Sequence, residues 1–412
     1  MNIEKRDVVI IGGGPAGLAA ATALHRLGVR DILIVEREKQ LGGILRQCIH
    51  DGFGLKRFGE ALSGPEYAQR FIDEVIENQI PYLTDATVIQ ITPQKLVTIA
   101  CSLGFRQVQA KAVVLAMGCR ERPRGALAIP GERPAGVFTA GTAQAYVNLY
   151  NRMVGHEIVI LGSGDIGMIM ARRLTLEGAH VQAVFEIQPV PSGLRRNLEQ
   201  CLNDYHIPLY LSHTITEIHG SSRVTGVTVS RVDERLSPIP GTEQYYACDT
   251  VILSAGLIPE NELSQEAGVE LDGKTRGPVV DEWYQTNVEG VFAAGNVLHV
   301  HDLADFVSLE AERLAGSVHA YLQNGTLAKC AIPVRAGDGI HHVVPQTLNG
   351  GQDAVLSMRA SRAAENCAVA IRQGGRLLLR QPFRRILPAE MLQISLKCGQ
   401  IQPDEEIEVS LE

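Results

Sequence analysis

Apolar residues along this chain fall in short unbroken runs that stop at glycine. Val8-Val9-Ile10-Ile11 meets Gly12, Ala112 to Met117 meets Gly118, Ile158-Val159-Ile160-Leu161 meets Gly162, and Val251-Ile252-Leu253 runs through Ser254-Ala255 to Gly256. Runs without polar alternation are the pattern of parallel strands covered on both faces. Helical texture follows the first and third runs at once, and a further apolar run follows each helix, at Asp31 to Val35 and Ala179 to Phe185. Between these repeats, Gly64 to Gln79 reads as an amphipathic helix with Tyr67, Phe71, Val75 and Ile76 on one face. Ala86 to Ile91 and Leu96 to Ile99 read as short strands. Thr286 to Ala293 reads as a strand ending in the turn Ala294-Gly295-Asn296, and Asp302 to Ala320 as a helix. After Pro333 the texture changes to short alternating runs separated by Gly, Asn and Pro (His342 to Pro345, Ala354 to Met358, Ala368 to Arg372, Leu377 to Leu379, Leu392 to Leu396), which predicts a small, mainly β appendage.

The glycines at the first turn carry chemistry. Gly12, Gly14 and Gly17 form G-x-G-x-x-G, with Pro15 and Ala16 opening the helix. The first glycine permits the tight strand-to-helix turn, the second lets the backbone approach a pyrophosphate, and the third lets helix and strand pack closely. The helix N-terminus then offers free N–H groups to an anion. The next strand ends in Glu36, placed to accept hydrogen bonds from a ribose, and Glu36-Arg37 to Gly43 closes the unit. The pattern repeats at Gly162, Gly164 and Gly167, enclosing Asp165 and Ile166, and ends in Glu186. Glu36 and Glu186 each lie 24 residues beyond the first glycine of their turn. One accidental match is plausible; two with matching acids are not. The chain therefore carries two dinucleotide-binding units.

Composition narrows the class. A chain of 412 residues with 45% hydrophobic and 20% charged residues has room for two or three globular domains. A formal net charge of −8 argues against a nucleic-acid partner or an anionic membrane surface. No signal pattern precedes the first strand, and Gly, Arg and Glu interrupt every apolar candidate for a membrane span, so a cytoplasmic protein is expected, peripheral to a membrane only through a partner. The eight cysteines, at 48, 101, 119, 201, 248, 330, 367 and 398, form no C-x-x-C and have no partners at zinc or iron–sulfur spacing, so reduced thiols and no metal are expected.

With these landmarks in order over about residues 6 to 320, the chain resembles the pyridine nucleotide–disulfide oxidoreductase superfamily of two-domain flavoproteins. The resemblance implies an α/β fold with two Rossmann-like dinucleotide-binding domains, the NAD domain inserted in the FAD domain, plus the β-rich C-terminal domain. The expected boundaries are 1–120 and 249–330 for FAD, 121–248 for NAD(H) and 331–412 for the appendage. FAD falls to Gly12, Gly14, Pro15, Ala16, Gly17, Glu36, Arg37, Gly43, Ala116, Gly118, Gly295 and Asn296. Ala116-Met117-Gly118 resembles the family's A-T-G turn, and Asn296 stands where the family usually has Asp. The helix beginning near Asp302 to Asp305 would point its N-terminus at the flavin pyrimidine. NAD falls to Gly162, Gly164, Asp165, Ile166, Gly167, Glu186 and Gly256. Glu186 suits a free ribose hydroxyl and would repel a 2′-phosphate, so NAD(H) is expected over NADP(H). Arg195 and Arg196 read either as phosphate binders or as solvated loop cations, and the second unit either as working or as vestigial.

Disulfide reductases of this family use a cysteine pair near the flavin or within the NAD domain; this chain has Cys48 alone in the first region, so disulfide reduction is not expected. Cys48 reads as a redox thiol or as packing, and His50 as a flavin-side proton donor or as a loop histidine. Gly42 to Gly54, Gly118 to Gly125 and His299-Val300-His301-Asp302 resemble a bacterial subgroup found as companions of FAD-dependent glycerol-3-phosphate dehydrogenases. That subgroup is akin to subunits of sarcosine oxidase, opine and hydroxyproline dehydrogenases and hydrogen cyanide synthase. The resemblance implies an electron-relay subunit in a heteromeric complex. Its partners would be the second FAD-dependent dehydrogenase of that complex and, where an iron–sulfur relay is needed, a small cysteine-containing redox protein. A stand-alone NADH oxidase or peroxidase using Cys48, and a non-catalytic FAD-holding subunit, are the alternatives. Arg120-Glu121-Arg122-Pro123-Arg124 reads equally as a salt-bridged hinge or as a contact to cofactor or partner, and the appendage as an assembly surface.

Overall fold

The parallel sheet of the opening unit is laid down by the buried runs at Val8–Ile11 and Ile32–Val35, whose side chains are almost fully excluded from solvent on both faces. The computed structural model describes residues 3–403 and 405–412. Two compact units result: residues up to Cys119 together with Pro259–Glu412, and Arg120–Ile258. In the first, Tyr82–Leu83, Ile32–Val35, Glu4–Ile11 and Gly104–Leu115 lie side by side in that order, with Val291–Ala293 added parallel to Val113–Leu115. Leu96–Cys101 and Ala86–Ile91 extend the sheet as an antiparallel hairpin. Helix Gly64–Glu77 starts at a capping box between Ser63 and Glu66. It buries Tyr67, Phe71 and Val75, whereas Ile76, expected on the same face, is 55% exposed. Nine helical steps from Tyr67 bring Ile76 round to the opposite side.

In the second unit, Leu209–Leu211, His180–Glu186, Glu157–Leu161, Thr250–Leu253 and Val137–Thr139 form a five-stranded parallel sheet, and His213–His219, Gly226–Arg231 and Gln244–Tyr246 a three-stranded antiparallel one. This corrects one expected boundary. The sequence pattern puts the return to the first domain at residue 249, but Thr250–Leu253 pairs with Ile158–Leu161, so the chain returns only at Pro259. An apolar strand closed by glycine reads the same in either sheet; pairing alone assigns it. The 120–124 cluster stays within this unit. Glu121 accepts from Gly141 N at 2.8 Å, near the start of helix Ala140–Asn148, and Arg124 donates to the Pro130 carbonyl at 2.9 Å.

From Ile332 onward the appendage builds a five-stranded and a three-stranded sheet around its own core of Leu356, Met358, Val369, Ile371, Ile394 and Val409. Gln346 exchanges hydrogen bonds with the backbone of Val280, Asn349 N donates to Glu282 Oε2 at 2.9 Å, and Arg359 donates to the Val300 carbonyl at 3.0 Å. It is therefore fastened to the rest of the first unit rather than tethered to it. At this seam burial pushes the Asp281 carboxyl up to about 6, although its Oδ1 accepts from Trp283 N and Gln285 N. A raised carboxyl stabilises the fold below its unfolded pKa and loses that contribution as pH rises through about 6. Asp281→Asn, which keeps the acceptor, is expected to raise stability at pH 8 by about 1–2 kcal/mol and to leave it unchanged near pH 4. Thermal melts at the two pH values check this. No described helix is long and apolar enough to cross a membrane.

Candidate functional site: two nucleotide cradles

The first cradle is built by backbone approaching backbone. Gly12 sits at φ +107°, and a Cβ there would lie 2.3 Å from the Ala116 carbonyl oxygen. A Cβ on Gly17 would lie 1.8 Å from the Gly12 oxygen, so helix Pro15–Arg26 rests directly on its strand. Gly14 differs: its nearest neighbour is Gly43 Cα at 3.8 Å, so the turn is open where a phosphate must approach. The helix begins without a side-chain cap, leaving its first amides to an incoming anion. Gly42 N donates to the Gly13 oxygen, which brings the 41–43 loop and Gly43 against this turn. Glu36 is 5% exposed, and its two oxygens accept from Gly13 N at 2.7 Å and Glu38 N at 2.8 Å. These bonds aim the carboxylate while leaving each oxygen a further lone pair for a ribose hydroxyl. Arg37 is mostly exposed and lies 3.8 Å from Glu260.

The turns from later in the chain converge here. Ala116 N donates to the Ile11 oxygen, Gly118 is open on its Cβ side, and a Cβ on Gly295 would meet Ala16 Cβ at 2.9 Å. Asn296 Oδ1 accepts from His301 N, and its Nδ2 reaches Cys119 Sγ at 3.5 Å. Of the residues expected to hold FAD, the turns at Gly12–Gly17, Gly43, Ala116 and Gly295 thus meet one another, and the open side of Gly14, the uncapped helix and the aimed Glu36 have the chemistry to take the ADP half of that cofactor. Helix Ala304–Asn324 starts without a side-chain cap. The Asp305 carboxylate on its first turn is taken by the backbone amides of Gly54, Lys56 and Arg57 at 2.7–3.1 Å. Neither that strap nor the thiol of Cys119 beside Asn296 is visible as a motif; both depend on contacts between distant segments.

Cys48 is half-buried. Its carbonyl accepts from Gly64 N, its thiol donates to the Ile44 oxygen at 3.4 Å, and burial pushes the thiol up to about 12. A thiol held there is protonated at neutral pH and a poor nucleophile. His50 lies with Nδ1 3.1 Å from the Asp51 oxygen and its ring 5.0 Å from that of Phe53.

The second cradle repeats the first and then departs from it. Gly162 sits at φ +101°, with Ser254 O 2.1 Å from a would-be Cβ, and a Cβ on Gly167 would lie 2.7 Å from the Gly162 oxygen. Gly164 is bounded by Ser254 at 3.4 Å, Ile166 packs on the unit's core, and the Gly256 carbonyl accepts from Arg122 N. Glu186 is 4% exposed and more heavily engaged than Glu36. Its Oε2 accepts from Ser163 N, Ser163 Oγ and Ser192 Oγ at 2.6–2.9 Å, whereas Oε1 accepts from Gln188 N at 3.0 Å. The following loop lies on the helix start: Asp165 Oδ1 accepts from Leu194 N and Asn197 Nδ2, and a Cβ on Gly193 would come within 2.9 Å of Asp165 N. Arg195 and Arg196 are exposed beyond this loop. The second turn thus has the form of a dinucleotide seat with its own loop laid across it.

The sequence profile of the pyridine nucleotide-disulphide oxidoreductase family matches residues 6–321. Among curated relatives, an opine oxidase subunit from Agrobacterium tumefaciens is 25% identical over 76% of this chain, which spans 64% of that protein. The HcnB subunit of hydrogen cyanide synthase from Pseudomonas protegens is 28% identical over 80% of this chain and 73% of its own length. Thioredoxin reductase of Mycolicibacterium smegmatis is 29% identical over 76% of this chain and 92% of its own. The thioredoxin reductase structure from T. acidophilum superposes with a TM-score of 0.63 at 24% identity, covering 77% of this chain and 98% of its own. A NAD-dependent persulfide reductase from A. fulgidus gives 0.59 at 20% identity over 89% of this chain and 68% of its own.

Proposed function

The chain belongs to the pyridine nucleotide-disulphide oxidoreductase family, and from that premise we propose that it is the FAD-carrying, NAD(H)-linked relay subunit of a heteromeric dehydrogenase. The dehydrogenase partner would act on glycerol 3-phosphate or on an amino or opine-type substrate. Membership supports FAD and NAD(P) binding and flavin-dependent redox chemistry. Two relatives whose names mark them as subunits, those of opine oxidase and hydrogen cyanide synthase, support the heteromeric reading. The observation that carries the proposal is the pairing of two nucleotide turns with a set of cysteines that contains no C-x-x-C. Electrons that enter such a chain have no local dithiol to receive them and must leave to another acceptor.

Bound FAD would supply the chemistry, accepting a hydride from the nicotinamide and passing electrons on. The chain's residues hold and orient. The uncapped start of Pro15–Arg26 neutralises a pyrophosphate, Glu36 fixes a ribose, and Gly295 and Asn296 close beside Ala16 and Cys119. Glu186 is proposed to hold the ribose of NAD(H) through Oε1, once the 189–194 loop has moved off the helix start.

Anaerobic titration with NADH tests the core of this proposal: the flavin absorbance should bleach, and an unbleached flavin would overturn any NADH-linked role. The partner is tested by purification of the native complex, which should contain a second flavoprotein in fixed ratio; a lone chain with full activity would sink the relay reading. Cys48→Ser should keep NADH-to-dye turnover within about twofold, since a protonated thiol contributes little nucleophilicity. Loss of peroxide or disulfide reduction in that variant would instead establish a thiol enzyme.

A further inference from the structure

The segment between Asn296 and helix Ala304–Asn324 brings together three buried side chains. His299 and His301 stand on the turn, Glu310 reaches them from the helix, and their side chains are 0%, 1% and 0% exposed. Glu310 Oε2 lies 2.8 Å from His299 Nε2 and 3.4 Å from His301 Nε2, and ligand-capable atoms of all three residues lie within 4.8 Å of one another.

The hydrogens of His301 decide what this cluster can be. Its backbone N–H donates to Asn296 Oδ1 at 2.9 Å, which identifies that atom as the amide oxygen. His301 Nδ1 lies 3.3 Å from the same oxygen, so Nδ1 carries a hydrogen. A neutral imidazole protonated at Nδ1 presents a lone pair at Nε2. That lone pair faces the Glu310 carboxylate with no hydrogen bond between them. Two electron-rich atoms buried face to face require positive charge between them, supplied by a second proton or by a cation.

The surrounding contacts favour a cation. Asn296 orients the outer nitrogen of His301, and Gly295 N donates to Glu310 Oε1 at 2.8 Å, so the inner nitrogen and the other carboxylate oxygen converge. This is how supporting contacts fix the ligands of a bound metal. Donors around a tetrahedral ion with bonds of about 2.0–2.1 Å stand about 3.3 Å apart. The 3.4 Å between His301 Nε2 and Glu310 matches that spacing, whereas the 2.8 Å between His299 Nε2 and Glu310 is a hydrogen bond that the ion would replace.

We propose that His299, His301 and Glu310 bind one divalent transition-metal ion, with zinc the best match to two imidazoles and a carboxylate in a closed site. Water supplies the fourth donor, or His342 does, whose buried Nε2 has no hydrogen-bond partner and whose ring centroid is 6.0 Å from that of His299. The ion's role is structural: it joins the Gly295-Asn296 turn to the long helix and fastens the flavin side of the first cradle.

Elemental analysis of the purified full-length flavoprotein tests this on the wild type alone. About one zinc per chain is expected, removable by a strong chelator with a fall in melting temperature that added zinc reverses. His301→Ala and Glu310→Gln should lose the metal, and cobalt exchanged into the wild type should add absorption bands to the red of the flavin. Wild-type protein with less than about a tenth of an ion per chain, and no change in melting temperature on adding zinc, would overturn the proposal in favour of a protonated His301.

Discussion

Gly12→Ala is expected to give protein without FAD that melts well below the wild type. Two costs act at once. The residue holds a φ of +107° that a side chain disfavours, and its new methyl would stand 2.3 Å from the Ala116 carbonyl oxygen, a backbone atom that cannot swing aside. Strain of this kind is worth roughly 1–3 kcal/mol before any clash is counted. The shift needed to relieve it would part the Ile11 and Ala116 strand ends on which the turn rests. Gly14→Ala is the matched control, since nothing lies within 3.8 Å of its would-be Cβ. It should fold with a melting temperature near wild type yet lose FAD, because the methyl occupies the path of the pyrophosphate. Flavin absorbance per chain and thermal melts separate the two outcomes. A Gly14→Ala protein that retains stoichiometric FAD would show that the cofactor sits elsewhere.

Glu186→Ala is expected to narrow the preference for NADH over NADPH by about tenfold and to weaken the second unit. Removing the carboxylate takes away the charge that would repel a 2′-phosphate, a change on the order of 1–2 kcal/mol. It also strands the hydroxyls of Ser163 and Ser192 and the amides of Ser163 and Gln188, all of which donate to this one side chain. Of these residues Ser163 is fully buried, and a buried donor left unpaired costs about 1–3 kcal/mol, whereas Ser192 and Gln188 are exposed and can turn to water. Glu186→Gln keeps an acceptor and separates the effects: specificity should shift while most of the stability returns. Steady-state kcat/KM with both nucleotides, beside thermal melts, measures this. An unchanged ratio in both variants would defeat the ribose assignment.

Much of the scaffold was legible because its determinants are local. A strand buried on both faces must be apolar throughout, and a helix that rests on its strand must begin with glycine, so Val8–Ile11 with Gly17 and Ile158–Leu161 with Gly167 announce themselves. The acids at Glu36 and Glu186 follow from strand length. Contacts between distant segments were not legible. Thr250–Leu253 has the same composition whichever sheet it joins, which is why the expected boundary fell short of Pro259. Asp305 was visible as an acid near a helix start, but not as the acceptor of three amides in a loop some 250 residues earlier. His299, His301 and Glu310 have no cysteine spacing to betray them, and only the helix brings the glutamate beneath the histidines. The Ser192–Leu194 loop reads as an ordinary connection, yet it lies on Glu186 through Ser192 and on Asp165 through Gly193 and Leu194.

The way the chain divides bears on the order in which it is made. The second unit is continuous, from Arg120 to Ile258, so all five strands of its parallel sheet have been synthesised by Leu253. The first unit is interrupted, and Val291–Ala293 and helix Ala304–Asn324 reach it only after the second is complete. Domains generally fold as units during synthesis, earlier segments first. Here the rule is inverted: the nucleotide turn that leaves the ribosome first is the last to be finished. Until then the first sheet lacks the strand beside Val113–Leu115 and the turn that meets Ala16, and a chain truncated at residue 260 should hold a folded second unit and no flavin seat.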